Sequence, residues 1–191
     1  MCLVNDQFFL ESLPMVLRHV DLIVEESYTA YNLLFFLQAT KMFSYISSLR
    51  FITSEALPPL SAGTALIKEC VNLREVWLSF MGQELFKKDA LSVKKFGKKE
   101  FVENYAIREL LSLRQIKKVT LFVIRDFQCS VLDDVTVAWE MGPWLKKKFH
   151  RRGVDVEVVS FFFLCHASKQ RQALSNQSVK MLLKIYYCTV P

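Results

Sequence analysis

The chain has 191 residues, 52% hydrophobic and 23% charged, which excludes a disordered chain and suffices for one domain with a substantial core. Five glycines and five prolines are too few for a sandwich built on many tight turns. The 25 basic and 19 acidic residues leave a net charge of +6, but a net count is not the clustered patch that nucleic acid requires, so nucleic acid is not an expected partner.

In chain order, residues 5–17 carry Phe8, Phe9, Leu10, Leu13, Val16 and Leu17 at helical spacing, which Pro14 is expected to break. His19 to Glu25 alternates, with Val20, Leu22 and Val24 on one face and Asp21, Ile23 and Glu25 on the other, and predicts a half-buried strand over 20–24. Thr29 to Phe43 suits a buried helix, and a strand follows over 46–52. Leu57-Pro58-Pro59-Leu60 is a loop, and Ser61 is the N-cap expected for a helix over 62–70 with Leu66, Ile67 and Cys70 on one apolar face. Strand 73–80 comes next.

The stretch of about 82–99 holds Lys87, Lys88, Lys94, Lys95, Lys98 and Lys99 and reads as a solvated insertion. One helix over about 100–114 then feeds a strand over 116–124. Asp126 to Ser130 is a loop, and Asp133 or Asp134 opens a long helix that Gly142-Pro143 kinks or splits. Lys146, Lys147 and Lys148 suit the negative pole of that helix, and Gly153 is its natural C-cap. A strand over 154–160 runs into Phe161-Phe162-Phe163-Leu164. The remainder ends in an apolar segment, Met181 to Tyr187, with no partner assignable from sequence.

One phrase recurs along this path. Tyr45 to Ile52, Asn72 to Phe80 and Gln115 to Val123 each read apolar-x-x-apolar-x-apolar, and between copies the period changes from two to a helical one. With Val20, Leu49, Val76, Val119 and Val156 as equivalent points, the separations are 29, 27, 43 and 37 residues. The first two lie near the lengths of leucine-rich repeats. Strand followed by helix in each unit implies parallel neighbours, and no unit buries its own apolar face without the next. The expected fold is therefore α/β: an irregular leucine-rich-repeat-like stack of strand–helix units with a mainly parallel sheet. Residues 1–160 form the single domain, and 161–191 are a C-terminal extension of unclear role.

Five cysteines at positions 2, 70, 129, 165 and 188 are odd in number, with no Cys-x-x-Cys, which argues against a disulfide framework or a zinc knuckle and for a reducing compartment. The opening Met1-Cys2-Leu3-Val4-Asn5-Asp6 lacks the regions of a signal peptide. The most apolar stretch, Val156 to Cys165, is shorter than the ~20 residues of a membrane span. A cytoplasmic or nuclear protein without membrane contact is expected.

Leu3-Val4-Asn5-Asp6-Gln7-Phe8-Phe9-Leu10-Glu11-Ser12-Leu13-Pro14, followed by Phe36-Leu37 ahead of Ile46-Ser47-Ser48-Leu49-Arg50-Phe51, resembles a set of fungal F-box-like proteins with irregular leucine-rich units. Lys68-Glu69-Cys70-Val71-Asn72-Leu73-Arg74-Glu75-Val76 is similar to their entry into a strand. The resemblance covers roughly residues 3–160. It implies a protein-recognition role, in some members as the substrate-reading part of a ubiquitin ligase. The set's "leu-pro-x-glu" opening, which grips the ligase adaptor, is not found ahead of Cys2.

On the expected register Leu49, Phe51, Val76, Leu78, Val119 and Leu121 point into the core. The opposite face carries the candidate protein-binding residues Asp21, Ile23, Arg50, Ile52, Trp77, Ser79, Thr120, Phe122, Asp155 and Glu157. Trp77 and Arg50 are the types that commonly anchor interfaces. The cluster Lys146-Lys147-Lys148-Phe149-His150-Arg151-Arg152 has the composition of a phosphate-binding or nuclear-import segment, but a basic helix end is usually just solvated and dipole-complementary.

Catalytic chemistry finds little footing. His19, His150 and His166 are scattered, with no metal-ligand spacing, and Cys165-His166 is adjacent only in sequence. Gly-x-Ser-x-Gly, the Walker loop and Gly-x-Gly-x-x-Gly are all missing from the sequence. The expectation is a non-enzymatic module, without cofactor or metal, that binds a protein through its strand face. The alternatives are a substrate-recognition component of a ubiquitin ligase and a small enzyme of a fungal metabolic gene cluster.

Overall fold

Alternating apolar side chains along five short segments set the frame, and helices with one apolar stripe fill the gaps between them. The computed structural model describes residues 6–85, 97–124, 131–163 and 186–187. In chain order these form α1 (Asp6–His19), β1 (Leu22–Val24), α2 (Ser27–Thr40), β2 (Ser48–Phe51), α3 (Ala62–Glu69) and β3 (Glu75–Met81). Then come α4 (Lys98–Asn104), α5 (Ile107–Ser112), β4 (Lys118–Ile124), α6 (Val131–His150), β5 (Glu157–Phe163) and β6 (Tyr186–Tyr187).

The sheet order is β1-β2-β3-β4-β5-β6. The first five strands are parallel and lie side by side in chain order, and β6 adds antiparallel to β5. This is the α/β strand–helix stack that the recurring phrase predicts. Register refines it. Leu22, Leu49, Val76, Val119 and Val158 are the true equivalents, so the outer strands sit two residues later than expected and the first two units are each 27 residues long. A slip of two keeps every side chain on its assigned face, whereas a slip of one would have inverted the strand.

The core lies between the sheet and the helices. Leu49, Phe51, Val76, Leu78, Val119 and Leu121 are all within 1% of complete burial. Helix α2 packs on α3 and α3 on α5, while α6 lies across β4 and β5. Two glycines permit this closeness. A Cβ on Gly63 would strike the Ala56 carbonyl and approach Phe51 Cε1 to 3.0 Å, and one on Gly142 would strike Ser160 Oγ. Neighbouring units are also tied by hydrogen bonds one repeat apart. Thr53 Oγ1 donates to the Glu25 carbonyl at 2.7 Å, Asn72 Nδ2 to the Ser44 carbonyl at 2.7 Å, and Ser47 Oγ to the Arg18 carbonyl at 3.0 Å.

Several expected boundaries change for identifiable reasons. Neither proline ends its helix: α1 continues through Pro14 and α6 through Pro143. An interior proline costs about 3 kcal/mol. In α6 the stripe Val137, Met141, Leu145 and Phe149, all fully buried, spans the proline at four-residue spacing and offsets that cost. Helix α6 opens at Val131 rather than at Asp133 or Asp134.

The single helix expected over 100–114 is two, because Tyr105 adopts extended backbone (φ −132°, ψ 165°). Its ring inserts against Phe80 at 4.9 Å and Phe101 at 5.8 Å. Strand β5 continues to Phe163, past residue 160, and the final apolar segment finds its partner there through β6. The loop at 126–130, most of the lysine-rich insertion and most of 161–191 lie outside the described residues.

Candidate functional site on the open sheet face

Period two along each strand sends alternate side chains away from the helices. On β3 this places Trp77, Ser79 and Met81 opposite to buried Val76, Leu78 and Phe80. Pairing then aligns three rows across the sheet. Ser48, Glu75, Lys118 and Glu157 form one, Ile23, Arg50, Trp77, Thr120 and Val159 the second, and Ser79, Phe122 and Phe161 the third.

Four planar groups stack continuously over this face. Arg50 Cζ lies 3.9 Å from the centre of the Trp77 ring. Trp77 stacks on Phe122 with centroids 5.3 Å apart and planes 24° apart, and Phe122 on Phe161 at 5.2 Å and 17°. The spacing follows from the sheet itself. Directly paired residues on neighbouring strands stand about 4.8–5.5 Å apart, which is also the separation of offset-stacked rings. Arg50 pairs Trp77, and Phe122 pairs Phe161; the Trp77 ring leans diagonally to reach Phe122, whose direct partner is Ser79.

At its β1 end the stack is held by charge. Arg50 Nη2 donates to Asp21 Oδ2 at 3.1 Å, with the two side chains 32% and 49% exposed. An ion pair so solvated contributes at most about 1 kcal/mol; it also tethers the guanidinium over the indole, where the cation–π contact adds roughly 0.5–2 kcal/mol. On this face Ser48 Oγ, Arg50 Nε, Trp77 Nε1 and Thr120 Oγ1 are buried without hydrogen-bond partners. Such groups cost about 1–3 kcal/mol each while unsatisfied.

The predicted site residues divide clearly. Asp21, Arg50, Trp77 and Phe122 come together, with exposed Ile23 and Ile52 at the β1–β2 end and half-buried Ser79 beside them. Thr120 lies on this face as expected but is only 1% exposed, because larger neighbours, Trp77, Phe122 and Val159, wall it in; it is not a contact residue. Asp155 precedes β5, and Glu157 stands at its start opposite Lys118, 3.9 Å away, so both lie apart from the stack.

Phe161 is the residue the sequence reading missed. Continuing the alternation from Glu157 through Val159 would have reached it, but the run Phe161-Phe162-Phe163 hides which phenylalanine faces which way.

The other candidates are not part of the stack. In the basic cluster, Arg152 Nη1 donates to the Leu111 carbonyl at 2.9 Å and Lys148 lies 5.6 Å over the Trp144 ring, while Lys146, Lys147 and Arg151 are exposed. His19 and His150 are exposed, and Cys165-His166 lies outside the described residues. A cleft of about 270 Å³ at the start of β1–β3 is lined by Arg18, His19, Asp21, Arg74 and Glu75, so it presents both signs of charge and selects neither anion nor cation.

Among the described residues, no group of His, Cys, Asp or Glu converges as a metal site, and no helix is long and apolar enough to cross a membrane. No protein-family model, curated protein or solved structure matches the chain.

Proposed function

We propose that the protein is a non-enzymatic module that binds another protein through the open sheet face, with the Arg50–Trp77–Phe122–Phe161 stack as its centre. The observation that carries this reading is the continuity of the stack. Four planar groups over four strands make a flat, rigid strip roughly 14 Å across. Small-molecule sites are concave and enclosing, whereas flat surfaces centred on Trp, aromatic residues and Arg are the anchors of protein interfaces.

Exposed Ile23 (46%) and Ile52 (41%) extend the apolar strip. Charged Glu75, Lys118 and Glu157 supply a polar rim. An aromatic and apolar centre inside a charged rim is the usual composition of a protein interface. This agrees with the recognition role implied by the resemblance to F-box-like proteins; a ligase-receptor role rests on that resemblance alone.

A benzophenone side chain placed at Ser79 should cross-link a partner from a lysate of the source organism. Arg50→Ala or Trp77→Ala should abolish that adduct with the circular dichroism spectrum unchanged, and each should weaken the purified partner's Kd by about tenfold or more. Adducts that survive both substitutions, or that form equally from Lys68 on the helix layer, would sink the reading. If Trp77→Ala unfolds the chain, Trp77→Phe with Arg50→Ala repeats the test.

A further inference from the structure

Helix α2, Ser-Tyr-Thr-Ala-Tyr-Asn-Leu-Leu-Phe-Phe-Leu-Gln-Ala-Thr, is alone among the described α-helices in carrying no charged residue. Its inner side is apolar in the usual way, with Ala30 and Leu37 fully buried and Leu33 and Leu34 packed against the core. Its outer side presents Tyr28, Tyr31 and Phe35, which are 70%, 62% and 66% exposed. Spaced i, i+3 and i+7, they form one stripe. A helix without a charged face is the pattern of a helix covered on both sides.

Charge at the two ends of α2 says what covers it. Glu25 and Glu26 precede the first turn, Lys41 follows the last, and all three are exposed. If two copies lie antiparallel about the level of Leu33, Tyr31 faces Phe35 of the second copy, Tyr28 faces its Gln38, and Glu25 faces its Lys41. Each acidic end then meets a basic end twice over, and the helix dipoles oppose. A parallel arrangement would set Lys41 on Lys41.

The rest of a chain with net charge +6 repels its copy, so this uncharged face is where two molecules approach at least cost. Sheet-edge pairing through β1 is disfavoured instead, since antiparallel pairing about Ile23 would oppose Asp21 to Glu25 of the copy.

We propose that α2 is a self-association surface, forming a twofold dimer by antiparallel packing of Tyr28, Tyr31 and Phe35. Three aromatic side chains, each about two-thirds exposed, offer roughly 300–500 Å² per copy, or roughly 600–1,000 Å² per pair. That is the size of a weak, reversible interface, with Kd on the order of 10–100 μM. The dimer uses the helix layer and leaves the Arg50–Trp77 face open.

Sedimentation of the full chain from about 1 to 500 μM tests this. The parent protein should shift from monomer to dimer across that range, and Phe35→Glu or Tyr31→Lys should raise Kd at least tenfold with unchanged circular dichroism. Glu25→Lys and Lys41→Glu should each weaken the dimer severalfold, and the double exchange should restore it to within about twofold. A parent protein that stays monomeric at the highest concentration overturns the proposal. So does a dimer indifferent to both Phe35→Glu and Tyr31→Lys, or a double exchange no better than the single ones.

Discussion

Cys70 shows how closely single residues are tied to the stack. It is fully buried at the end of α3, where burial first and the adjacent Glu69 carboxylate second push its thiol from 9.0 up to about 12. The unfolded chain releases that proton near pH 9 while the folded chain retains it. The associated stability is complete below pH 9 and is lost as pH rises from 9 towards 12, by up to ~1.4 kcal/mol per pH unit. Tyr105 acts in the same direction from its own ordinary value, through burial and the negative charge of Glu84.

Urea unfolding of the parent chain and Cys70→Ala should therefore show stabilities that converge between pH 9 and 11. A constant difference across that window would show that Cys70 does not carry the alkaline loss. The identity of Cys70 as a buried residue was legible from its place beside Leu66 and Ile67. The Arg50–Trp77–Phe122 face was legible too, because period two assigns faces without any knowledge of neighbours. That the rings touch was not, since stacking depends on cross-strand register.

Among the elements, helix ends were easier to read than helix interiors. Ser61 caps α3 as its position suggested, with its Oγ accepting from the Thr64 N–H at 3.2 Å. Helix α6 closes on Gly153 at φ +72°, where the Val154 N–H donates to Phe149 and the Gly153 N–H to His150, a Schellman closure that needs a left-handed residue. Lys41 performs the same turn after α2 at φ 57° without being glycine, and no sequence rule marks it.

A Cβ at Gly153 would meet nothing within 4 Å, so the cost of Gly153→Ala is purely conformational, about 1–2 kcal/mol. Chemical denaturation should register that loss; a neutral result would mean that the loop relaxes out of the left-handed region. Pro14 and Pro143 misled for the opposite reason. A proline's local penalty is visible in sequence, but the buried stripe that outweighs it is a property of the packed helix.

At the scale of the molecule, stacking in chain order makes stability graded from the centre outwards. Strand β4 is paired along seven residues on both sides and β3 along seven on one side and four on the other, whereas β1 has three residues and one partner. Amide hydrogen exchange should be slowest in Val76–Phe80 and Val119–Val123 and fastest in β1, following the protection that flanking strands provide. Equal protection of β1 and β4 would indicate one cooperative unit instead of a graded stack. The same open geometry leaves two different surfaces uncovered, the stack on the sheet face and the uncharged side of α2.

By itself the sequence determined the class of fold, the parallel pairing of its repeated strands and the two faces of each strand. These follow from local periodicity, and the 27-residue recurrence repeats the same local solution. Tertiary structure alone decided the register of β1 and β5, the unbroken paths through both prolines and the partnership of β6 with β5. It also decided that Thr120 is buried while Phe161 completes the stack. Each of those outcomes depends on which side chains from distant segments arrive at the same place, and period and propensity do not encode that meeting.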